Sequence, residues 1–433
     1  MGHAQFIADL LNFIEDSPTP FHAVQNMAGI LRENGFAELK ESDDWNLSPG
    51  QNYYVTRNGS SIIAFRTGAN DVVKTGIRMV GAHTDSPCLK VKPTPEVIRK
   101  GYLQIGVEVY GGALFSPWFD RDLSLAGRVN YTTKFHQLET ALLDFKDPIA
   151  VIPSLAIHLD RTVHEARTIN PQKELLPIIL QTKAEEPQEF RELLKMQMLS
   201  ENPESTVDEV LDYDLCFYDT QPPAIVGLDE EFVCSARLDN LLSCFVGLMS
   251  LIQTGGKFAS LLICNDHEEV GSMSAAGAQG TFLRSVLERL AGDVQNFTRM
   301  MTQSILVSSD NAHGVHPNYA DKHDDTHGPI LNQGPVIKVN ANQRYATTSR
   351  TSAVFRQLCK KAGVPVQSFS MRNDMACGST IGPLTAAELG VQTIDVGVPQ
   401  FAMHSVRETA GVKDAHYLFR VLKELYDSEF DRE

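Results

Sequence analysis

Apolar residues recur every three to four positions in two stretches near the start of the chain, FIADLLNFIEDS (residues 6–17) and FHAVQNMAGILRENG (residues 21–35). This spacing places the apolar side chains on one face of a helix, and Gly35 is a typical stop signal for the second helix. Two short apolar runs follow, SIIAF (61–65) and TGIRMVGAHTD (75–85), whose length predicts strands. We therefore predict that the chain begins with two helices and two strands.

The pattern changes between residues 92 and 232. Short β-type segments alternate there with turns rich in proline and glycine: YLQIGVEVYGG, GRVNYTT and AIVGL. One helix is predicted within this region, at PQEFRELLKMQML (187–199). These features predict an inserted β-rich domain over residues 92–232.

Strands and helices alternate after residue 233. The predicted helices are LDNLLSCFVGLMSLIQTGG, TFLRSVLERLAG, SRTSAVFRQLCKKAG and DAHYLFRVLKELYDSEF, and the predicted strands are ASLLICN, SILVSSD and VQTIDVGV. Such alternation predicts a largely parallel sheet that helices cover on both faces. The predicted fold class is therefore α/β, a three-layer α/β/α core formed by residues 1–91 and 233–433, with the β-rich domain inserted into it.

Composition limits the classes of function. A chain of 433 residues exceeds one typical hydrophobic core, which favours two domains. The formal net charge of -16 argues against binding to nucleic acids or to membrane surfaces, and no apolar stretch approaches the ~20 residues that span a bilayer. The first residues lack the basic region of a signal peptide, and the seven cysteines are scattered without a CxxC motif. We expect a cytoplasmic protein without nucleic-acid or membrane partners.

Histidines and carboxylates follow the predicted strands. Open α/β sheets bind their ligands at the carboxyl ends of the strands. Five such ends carry candidate side chains: His83 with Asp85, Asp239, Glu268 with Glu269, Asp310, and His404. Together they would form a negative cluster that is costly to bury unless cations neutralise it.

Each of these residues has a simpler explanation when it is taken alone. Asp239 could be a helix N-cap, Asp310 a turn residue and Asp85 an ordinary turn acid. Glu269 could form a capping box with Asp266, and a lone histidine after a strand is most often hydrogen-bonded or exposed. The recurrence at five strand ends favours one shared site.

The donor types narrow the choice of metal. Imidazole and carboxylate without thiolate suit zinc, cobalt or manganese. Two metal ions ~3.5–4 Å apart need a bridging carboxylate, plus a terminal histidine and a terminal carboxylate on each side. Five of the available side chains can fill these places, and one carboxylate remains as a base for the attacking water. Adjacent Glu268 and Glu269, which face different ways on an extended chain, can supply one ligand and one base, while Asp85 can orient His83.

Seven motifs carry a resemblance to a known family: GAHTDSP, WFDRDLSLAGRV, ARLDN, DHEEVGS, DNAHGVHPNY, NDMACGSTIGP and MHS. In this order they resemble the aspartyl aminopeptidase family, dinuclear zinc enzymes that include the yeast vacuolar aminopeptidase I type, and the chain looks like a bacterial-type member. The likeness covers essentially the whole chain. The segment FSPWFDRD departs from the Trp/Thr-rich version of the family, but it lies in the insert.

The resemblance implies a metallo-exopeptidase core with two Zn²⁺ ions per subunit, for which Co²⁺ or Mn²⁺ could substitute. It implies that His83 and Asp310 hold one ion, that Glu269 and His404 hold the other, and that Asp239 bridges them. Glu268 would be the general base, with Asp85 behind His83. The implied reaction removes N-terminal residues, preferentially Asp or Glu, from peptides with a free N-terminus.

The resemblance also implies self-association. The inserted domain would mediate a dimer, and dimers would build a homododecamer. His158, in SLAIHLDR, would reach the active site of a neighbouring subunit and stabilise the oxyanion. A packed histidine in an apolar strand is the alternative for His158.

Further residues are candidates for binding substrate. Lys338 matches the family's lysine for an acidic side chain and Arg372 is a second candidate, although either could be a surface cation. His313 and His316 would line the pocket or stabilise their loop. Gly378, Ser379 and Thr380 could offer backbone and hydroxyl donors.

Two other functions remain open at this point. One is a different dinuclear-zinc amidohydrolase, such as a deacylase or a carboxypeptidase, and the other is a non-catalytic scaffold or cargo protein that retains the fold. A serine hydrolase is disfavoured because GSMSAAG does not fit the GxSxG elbow.

Overall fold

The structure is a computed structural model that describes residues 2–182 and 189–430. Its helices are, in chain order, α1 His3–Glu15, α2 Pro20–Glu33, α3 Val72–Thr75, α4 Pro171–Glu174, α5 Phe190–Glu201, α6 Leu238–Ile252, α7 Phe282–Ala291, α8 Val294–Thr302, α9 Ser349–Ala362, α10 Ile381–Leu389 and α11 Asp414–Asp427. Short 3₁₀ helices lie at Ser116–Trp118, Glu268–Val270 and Pro317–Lys322.

The strands belong to three sheets. They are β1 Ala37–Glu38, β2 Asn52–Arg57, β3 Ser61–Arg66, β4 Arg78–His83, β5 Cys88–Arg99, β6 Tyr102–Tyr110, β7 Leu123–Thr133, β8 Leu138–Asp144, β9 Ile178–Gln181, β10 Val207–Asp219, β11 Ala224–Val226, β12 Phe232–Ser235, β13 Ser260–Asn265, β14 Ile305–Ser309, β15 Ala312–His313, β16 Val336–Val339, β17 Gln367–Ser370, β18 Gln392–Gly397, β19 Pro399–Phe401 and β20 Glu408–Gly411.

The chain divides into two compact units. The first unit comprises Met1–Asp85, Pro223–Met403 and Glu408–Glu433, and the second comprises Ser86–Pro222 with His404–Arg407. The sequence pattern predicted the insert over residues 92–232, so the observed boundaries lie six and ten residues earlier. The predicted domains also take in residues 1, 183–188 and 431–433, which lie outside the described residues.

A nine-stranded sheet with the order β1-β2-β3-β13-β4-β14-β18-β16-β17 forms the centre of the first unit. Its middle strands β13, β4, β14 and β18 run parallel to one another, while β3 joins β13 and β16 joins β18 in antiparallel fashion. A smaller five-stranded sheet, β11-β12-β20-β19-β15, belongs to the same unit. The carboxyl ends of the central parallel strands therefore meet at one edge of the large sheet.

Alternating side chains of the central strands fill two cores on opposite faces of the large sheet. In β13, Leu262 and Cys264 join a core with α1, α2, α6, α9 and α11, whereas Leu261 and Ile263 join a second core with α7 and α8. This division follows from the two-residue period of a strand. Because both faces are covered, the strand reads as a continuous apolar run, SLLICN, in the sequence.

The second unit is built on a six-stranded antiparallel sheet with the order β8-β7-β10-β5-β6-β9. Helix α5 packs on it through Phe190, Leu194 and Met198, which are four residues apart and lie on one helix face. The described part of the unit thus has a hydrophobic core of its own, with Trp118 among its buried residues.

The predicted α/β class and the β-rich insert are confirmed. The predicted helix at residues 187–199 is α5, Phe190–Glu201, and residues 187 and 188 of the prediction lie outside the described residues. The sequence pattern did not predict strand β5, because Pro93 and Pro95 interrupt the strand. A register shift between Val91 and Glu96 accommodates the two prolines. Within residues 2–182 and 189–430, none of the helices combines the length and the hydropathy needed to cross a membrane.

Asp414, the first residue of α11, provides a test of the packing of the first unit. Its buried carboxylate accepts hydrogen bonds from the backbone N–H of Asn332 (2.5 Å) and of Gly334 (2.8 Å). Burial nevertheless raises the pKa of Asp414 to about 7. The folded state therefore binds this proton more tightly than the unfolded state does, and the stability linked to it is lost as the pH rises from about 4 to about 7.

We predict that the stability of Asp414→Asn, which mimics the protonated side chain, increases relative to that of the wild type as the pH rises from 5 to 8. Urea unfolding followed by circular dichroism at both pH values measures the difference. Asp229→Asn removes an exposed carboxylate of the same unit and controls for the general effect of one lost charge. If instead the wild type becomes more stable relative to the variant at pH 8, the two N–H donors must outweigh the effect of burial.

Candidate metal centre

Three adjacent parallel strands bring the candidate side chains to one edge of the large sheet. In the β13–β4 pair Asn265 lies opposite His83, and in the β14–β4 pair Ser308 lies opposite Gly81. Asp310 follows β14 directly, and the glutamate pair follows β13 after a short turn. The sheet register alone therefore places these side chains side by side.

Asp239 reaches the same place from the start of α6. Its backbone is not helical (φ -84°, ψ 103°), and its peptide bond to Asn240 is cis. Asp239 Oδ1 lies 3.3 Å from His83 Nε2. The side chain of Asp239 is therefore directed at another candidate residue.

His83 is held at both ring nitrogens. Nδ1 donates to the backbone carbonyl of Asp85 at 3.0 Å and lies 3.4 Å from Asp85 Oδ1. On the other side, Nε2 lies 3.3 Å from Asp239 Oδ1 and 3.5 Å from Asp310 Oδ1. With its proton on Nδ1, the imidazole directs a lone pair at two carboxylate oxygens, an arrangement that needs a positive charge between them.

Asp85 connects this histidine with the glutamate pair. It is 1% exposed, and its two carboxylate oxygens accept hydrogen bonds from the backbone N–H of Glu268 (3.1 Å) and of Glu269 (3.0 Å). Asp85 thus fixes the turn that carries both glutamates and also orients His83. The sequence had suggested only the contact with His83.

Glu268 and Glu269 lie in the 3₁₀ helix Glu268–Val270, and our premise of an extended backbone at this point is wrong. Successive residues of a 3₁₀ helix are still about 120° apart, so the two side chains leave in different directions. Within the first unit, two groups of potential ligand atoms form here, His83 with Glu268 and Glu269, and His83 with Asp239 and Asp310. The atoms of each group lie within 4.8 Å of one another.

The electrostatics of the site are dominated by the carboxylates. Burial lowers the pKa of His83, but the neighbouring Asp239, Asp310 and Asp85 outweigh it and raise that pKa well above its ordinary value. Burial also raises the pKa of Glu268 to about 7, helped by Asp310 and Asp85 and opposed by His83. The site therefore favours added positive charge.

The donor set fits a divalent metal of the zinc type. Zinc bonds of about 2.0–2.1 Å in a tetrahedron separate two ligand atoms by roughly 3.3 Å. The distances from His83 Nε2 to the oxygens of Asp239 and Asp310, 3.3 and 3.5 Å, match this separation. The Asp85 contact at Nδ1 is the support that metal-binding histidines commonly have.

His404 lies in the short segment that the second unit contains, between β19 and β20 in the chain. Its Nδ1 donates to the carbonyl of Gly112 at 3.1 Å, which places the lone pair of the ring on Nε2. Its backbone has a φ of 68°, in the left-handed region that residues with side chains seldom adopt. Two residues next to the other candidates share this feature, Arg237 (φ 58°) and His267 (φ 64°), and such strain clusters at functional sites.

Lys338, in β16, is the candidate substrate residue that contacts the site directly. It is 2% exposed, and its ammonium lies 3.3 Å from Asp310 Oδ2 and donates to the carbonyl of Asn311 at 3.1 Å. It is therefore a buried cation, and the surface lysine considered for this position is wrong.

The two candidate histidines of the segment that follows β14, His313 and His316, have different surroundings. The ring of His313 packs edge-on against Phe369, and desolvation together with Lys338 lowers its pKa. His316 accepts a hydrogen bond from the N–H of Asn318 and packs against Phe401, so it stabilises the loop.

The remaining candidates have local partners. Arg372 forms a two-point ion pair with Asp374 and also donates to the carbonyl of Asp321. The Thr380 hydroxyl caps α10 and donates to Asp395, and Ser379 donates to the carbonyl of Arg344. A side chain at Gly378 would meet no atom within 4 Å. Among the described contacts, these side chains do not join the metal-ligand groups.

His158 is exposed and lies in a turn of the second unit, not in the apolar strand considered as the alternative. Its neighbours in the chain are also exposed although they are apolar: Leu155 (62%), Ile157 (45%) and Leu159 (74%). This apolar loop, residues 155–159, is an unusual surface for a negatively charged protein.

Several buried polar residues beside the site were not singled out from the sequence. Glu408 accepts a hydrogen bond from the backbone N–H of Asp239, and Asn311 and Gln400 lie behind it. Burial and the charge of Asp85 raise the pKa of Asp266 to about 6. No periodicity or spacing marks these residues, although Asn311 directly follows Asp310 and Asp266 lies two positions before Glu268.

Comparison with known proteins places the chain in a family. The family model described as "Aminopeptidase I zinc metalloprotease (M18)" matches residues 13–426. A relative named "Probable M18 family aminopeptidase 2" from Ectopseudomonas mendocina is 58% identical over 424 residues, which cover 98% of each chain.

Solved structures agree with this assignment. The structure titled "Cryo-EM structure of the Ape4 and Nbr1 complex" has a TM-score of 0.94 and 40% identity, covering 98% of this chain and 86% of that one. The "Structure of S. cerevesiae mApe1 dodecamer" has a TM-score of 0.83 and 28% identity, covering 97% and 96%. From the extent of these matches, together with a site whose donor atoms suit zinc, it follows that the chain belongs to the M18 family of zinc metallopeptidases and is an aminopeptidase.

Proposed function

We propose that this aminopeptidase uses two metal ions to remove N-terminal residues, preferentially Asp or Glu, from peptides with a free N-terminus. The observation that carries the proposal is the position of His83 Nε2, which faces Asp239 and Asp310 on one side while Glu268 and Glu269 approach the same ring. A single metal would use only part of this donor set.

The proposed ligands divide between two Zn²⁺ ions, with Co²⁺ or Mn²⁺ as possible substitutes. His83 and Asp310 would hold one ion, Glu269 and His404 the other, and Asp239 would be shared. The Nδ1 hydrogen bonds of His83 and His404 support this assignment, because each leaves the ligand lone pair on Nε2.

When bound, the metal ions supply Lewis acidity and lower the pKa of water. Glu268 then accepts a proton from the water that attacks the scissile carbonyl and returns it to the amine of the departing peptide. Asp85 keeps Glu268 in position by accepting the hydrogen bond of its backbone N–H. A carboxylate whose surroundings hold its pKa near 7 suits this exchange of a proton in both directions.

The preference for acidic residues would depend on Lys338. Its ammonium already lies beside Asp310, and a metal ion on Asp310 would draw that carboxylate's charge away from the lysine. Lys338 would then offer its charge to a substrate carboxylate, with His313, His316 and the backbone at Gly378, Ser379 and Thr380 as further contacts. Arg372 remains a second candidate cation.

Self-association and a cytoplasmic location complete the proposal. The apolar loop of residues 155–159 supports an insert-mediated dimer and a dodecamer built from such dimers, in which His158 stabilises the oxyanion of a neighbouring subunit. Among the described residues no disulfide joins any of the seven cysteines, as suits a reducing compartment.

The two adjacent glutamates allow a matched test of the roles. We predict that Glu268→Gln lowers turnover by about 10²–10⁴-fold while the zinc content stays unchanged, because only the base is lost. Glu269→Gln should lose both activity and zinc. Peptide hydrolysis and elemental analysis of the purified variants distinguish the two effects, and chelation followed by Zn²⁺ addition should restore the wild type alone.

Either of two results would contradict these roles. Wild-type turnover in Glu268→Gln would exclude it as the base, and zinc loss in that variant would make it a ligand. A wild type that holds zinc but hydrolyses no peptide would favour the scaffold function.

A second prediction concerns the substrate. Hydrolysis of Asp- and Glu-p-nitroanilide should exceed that of Ala-p-nitroanilide by about 10–100-fold in kcat/KM, the range expected for one hydrogen bond to a charged group. N-acetyl-Asp-p-nitroanilide should resist cleavage. Lys338→Met should lower the ratio of kcat/KM for Asp-p-nitroanilide to that for Ala-p-nitroanilide. An indirect effect of this variant through Asp310 would lower both values and leave their ratio unchanged. Release of acetate from the blocked substrate, without release of p-nitroaniline from the free-amine substrates, would indicate a deacylase.

A third prediction concerns assembly. Leu155→Asp with Leu159→Asp should break the oligomer in sedimentation velocity, whereas Leu228→Asp, which alters an exposed leucine of the first unit, should not. His158→Ala and Glu268→Gln should each be inactive. Reassembling the two variants together should restore part of the activity, because some sites then combine an intact Glu268 with an intact His158 from the neighbour. No recovery in mixed oligomers would place His158 outside the neighbouring site.

A further inference from the structure

A chain of buried hydrogen bonds runs behind Asp239. The backbone N–H of Asp239 donates to Glu408 Oε2 at 3.0 Å, and Gln400 Nε2 donates to Glu408 Oε1 at 3.3 Å. Asn311 Nδ2 in turn donates to Gln400 Oε1 at 2.8 Å. Asn311, Gln400 and Glu408 are 3%, 2% and 1% exposed, so water does not compete strongly for these bonds.

The five-stranded sheet of the first unit holds this chain in register. Gln400 lies in β19 opposite Ala410 of β20, which places Gln400 and Glu408 diagonally on the same face. Glu408 itself lies opposite Ser235 of β12, four residues before Asp239. Asn311 directly follows Asp310, and its own carbonyl accepts from Lys338. The chain therefore connects the backbones on which Asp239 and Asp310 are mounted.

The direction of each bond requires a carboxylate at position 408. Both of its oxygens act as acceptors, one for an N–H of the backbone and one for the amide of Gln400. A neutral amide at this position can accept at one end only, and its NH₂ would face the NH₂ of Gln400. A buried donor would then lack its acceptor, which destabilises the arrangement.

We propose that Glu408 is a positioning residue of the metal centre: through Gln400 and Asn311 it fixes the backbone of Asp239 relative to Asp310, so that the two carboxylates are held at metal-binding separation before any ion arrives. Glu408 acts through Asp239 and does not itself bind metal or substrate. The inference rests on the proposed role of Asp239 as a metal ligand. It assigns to the small sheet a function in metal affinity.

The chain offers a test in which the hydrogen bonds are broken and then restored. Glu408→Gln places two amide NH₂ groups face to face, and Gln400→Glu places two carboxylates face to face. The double variant Gln400→Glu/Glu408→Gln restores all three bonds, because the new carboxylate at position 400 accepts from Asn311 and from the new amide at position 408. That amide's oxygen still accepts from Asp239. Only the position of the negative charge differs from the wild type.

The measurements are the affinity of the full-length protein for Zn²⁺, by competition with a chromophoric chelator, and the thermal midpoint of the metal-free protein. We expect Glu408→Gln to bind Zn²⁺ about 10–100-fold more weakly, the usual effect of removing a residue behind a metal ligand. kcat should fall more than KM rises. Gln400→Glu should also bind weakly, and the double variant should recover most of the affinity. Glu288→Gln, in the exposed part of α7, controls for loss of one carboxylate.

Two outcomes would overturn the inference: wild-type Zn²⁺ affinity in Glu408→Gln, or a double variant that binds no better than Glu408→Gln. If Glu408→Gln does not fold, the inference still requires that the double variant fold and bind Zn²⁺. A double variant that fails to do so would also overturn the inference. A wild type that binds no metal would instead refute the proposed function. The two failures are therefore distinct.

Discussion

The carboxylates around His83 repel one another, and their burial strengthens that repulsion because little water is present to screen it. Asp85, Asp239 and Asp310 all lie within 3.5 Å of one imidazole ring. Each is offset by a different interaction. Asp85 accepts two backbone N–H groups, Asp310 pairs with Lys338, and Asp239 faces His83. The local structure around the site depends on keeping these interactions together.

The need to hold these buried carboxylates together explains why the two sheets of the first unit have different roles. The parallel strands of the large sheet bring His83, Asp310 and the glutamate turn to one edge, because their carboxyl ends are in register. Covering helices bury both faces of that sheet and make it rigid. The small sheet then supplies Glu408 and Gln400, which act on the backbone and not on the side chain of Asp239.

Part of the site follows from the sequence by simple rules. His83, Asp239, Glu268, Glu269 and Asp310 could be chosen because each adjoins an apolar run or a helix start, and the structure brings all five together. Only one of the two roles of Asp85 could be predicted from the sequence. Its contact with His83 follows from their spacing of two residues, whereas its bonds to the glutamate turn join residues 183 and 184 positions apart in the chain. Sequence spacing carries no information about such a pair.

The sequence by itself determined the α/β class, the β-rich insert and most of the donor set, because apolar periodicity and strand ends are local properties of the chain. Only the tertiary structure decided that Lys338 is buried against Asp310, that the glutamates lie in a 3₁₀ turn, and that Glu408 stands behind Asp239. These contacts join distant segments, and their geometry depends on sheet register and on where buried polar groups find partners. Such partners are chosen when the sheets and helices pack, so no pattern within one segment could have revealed them.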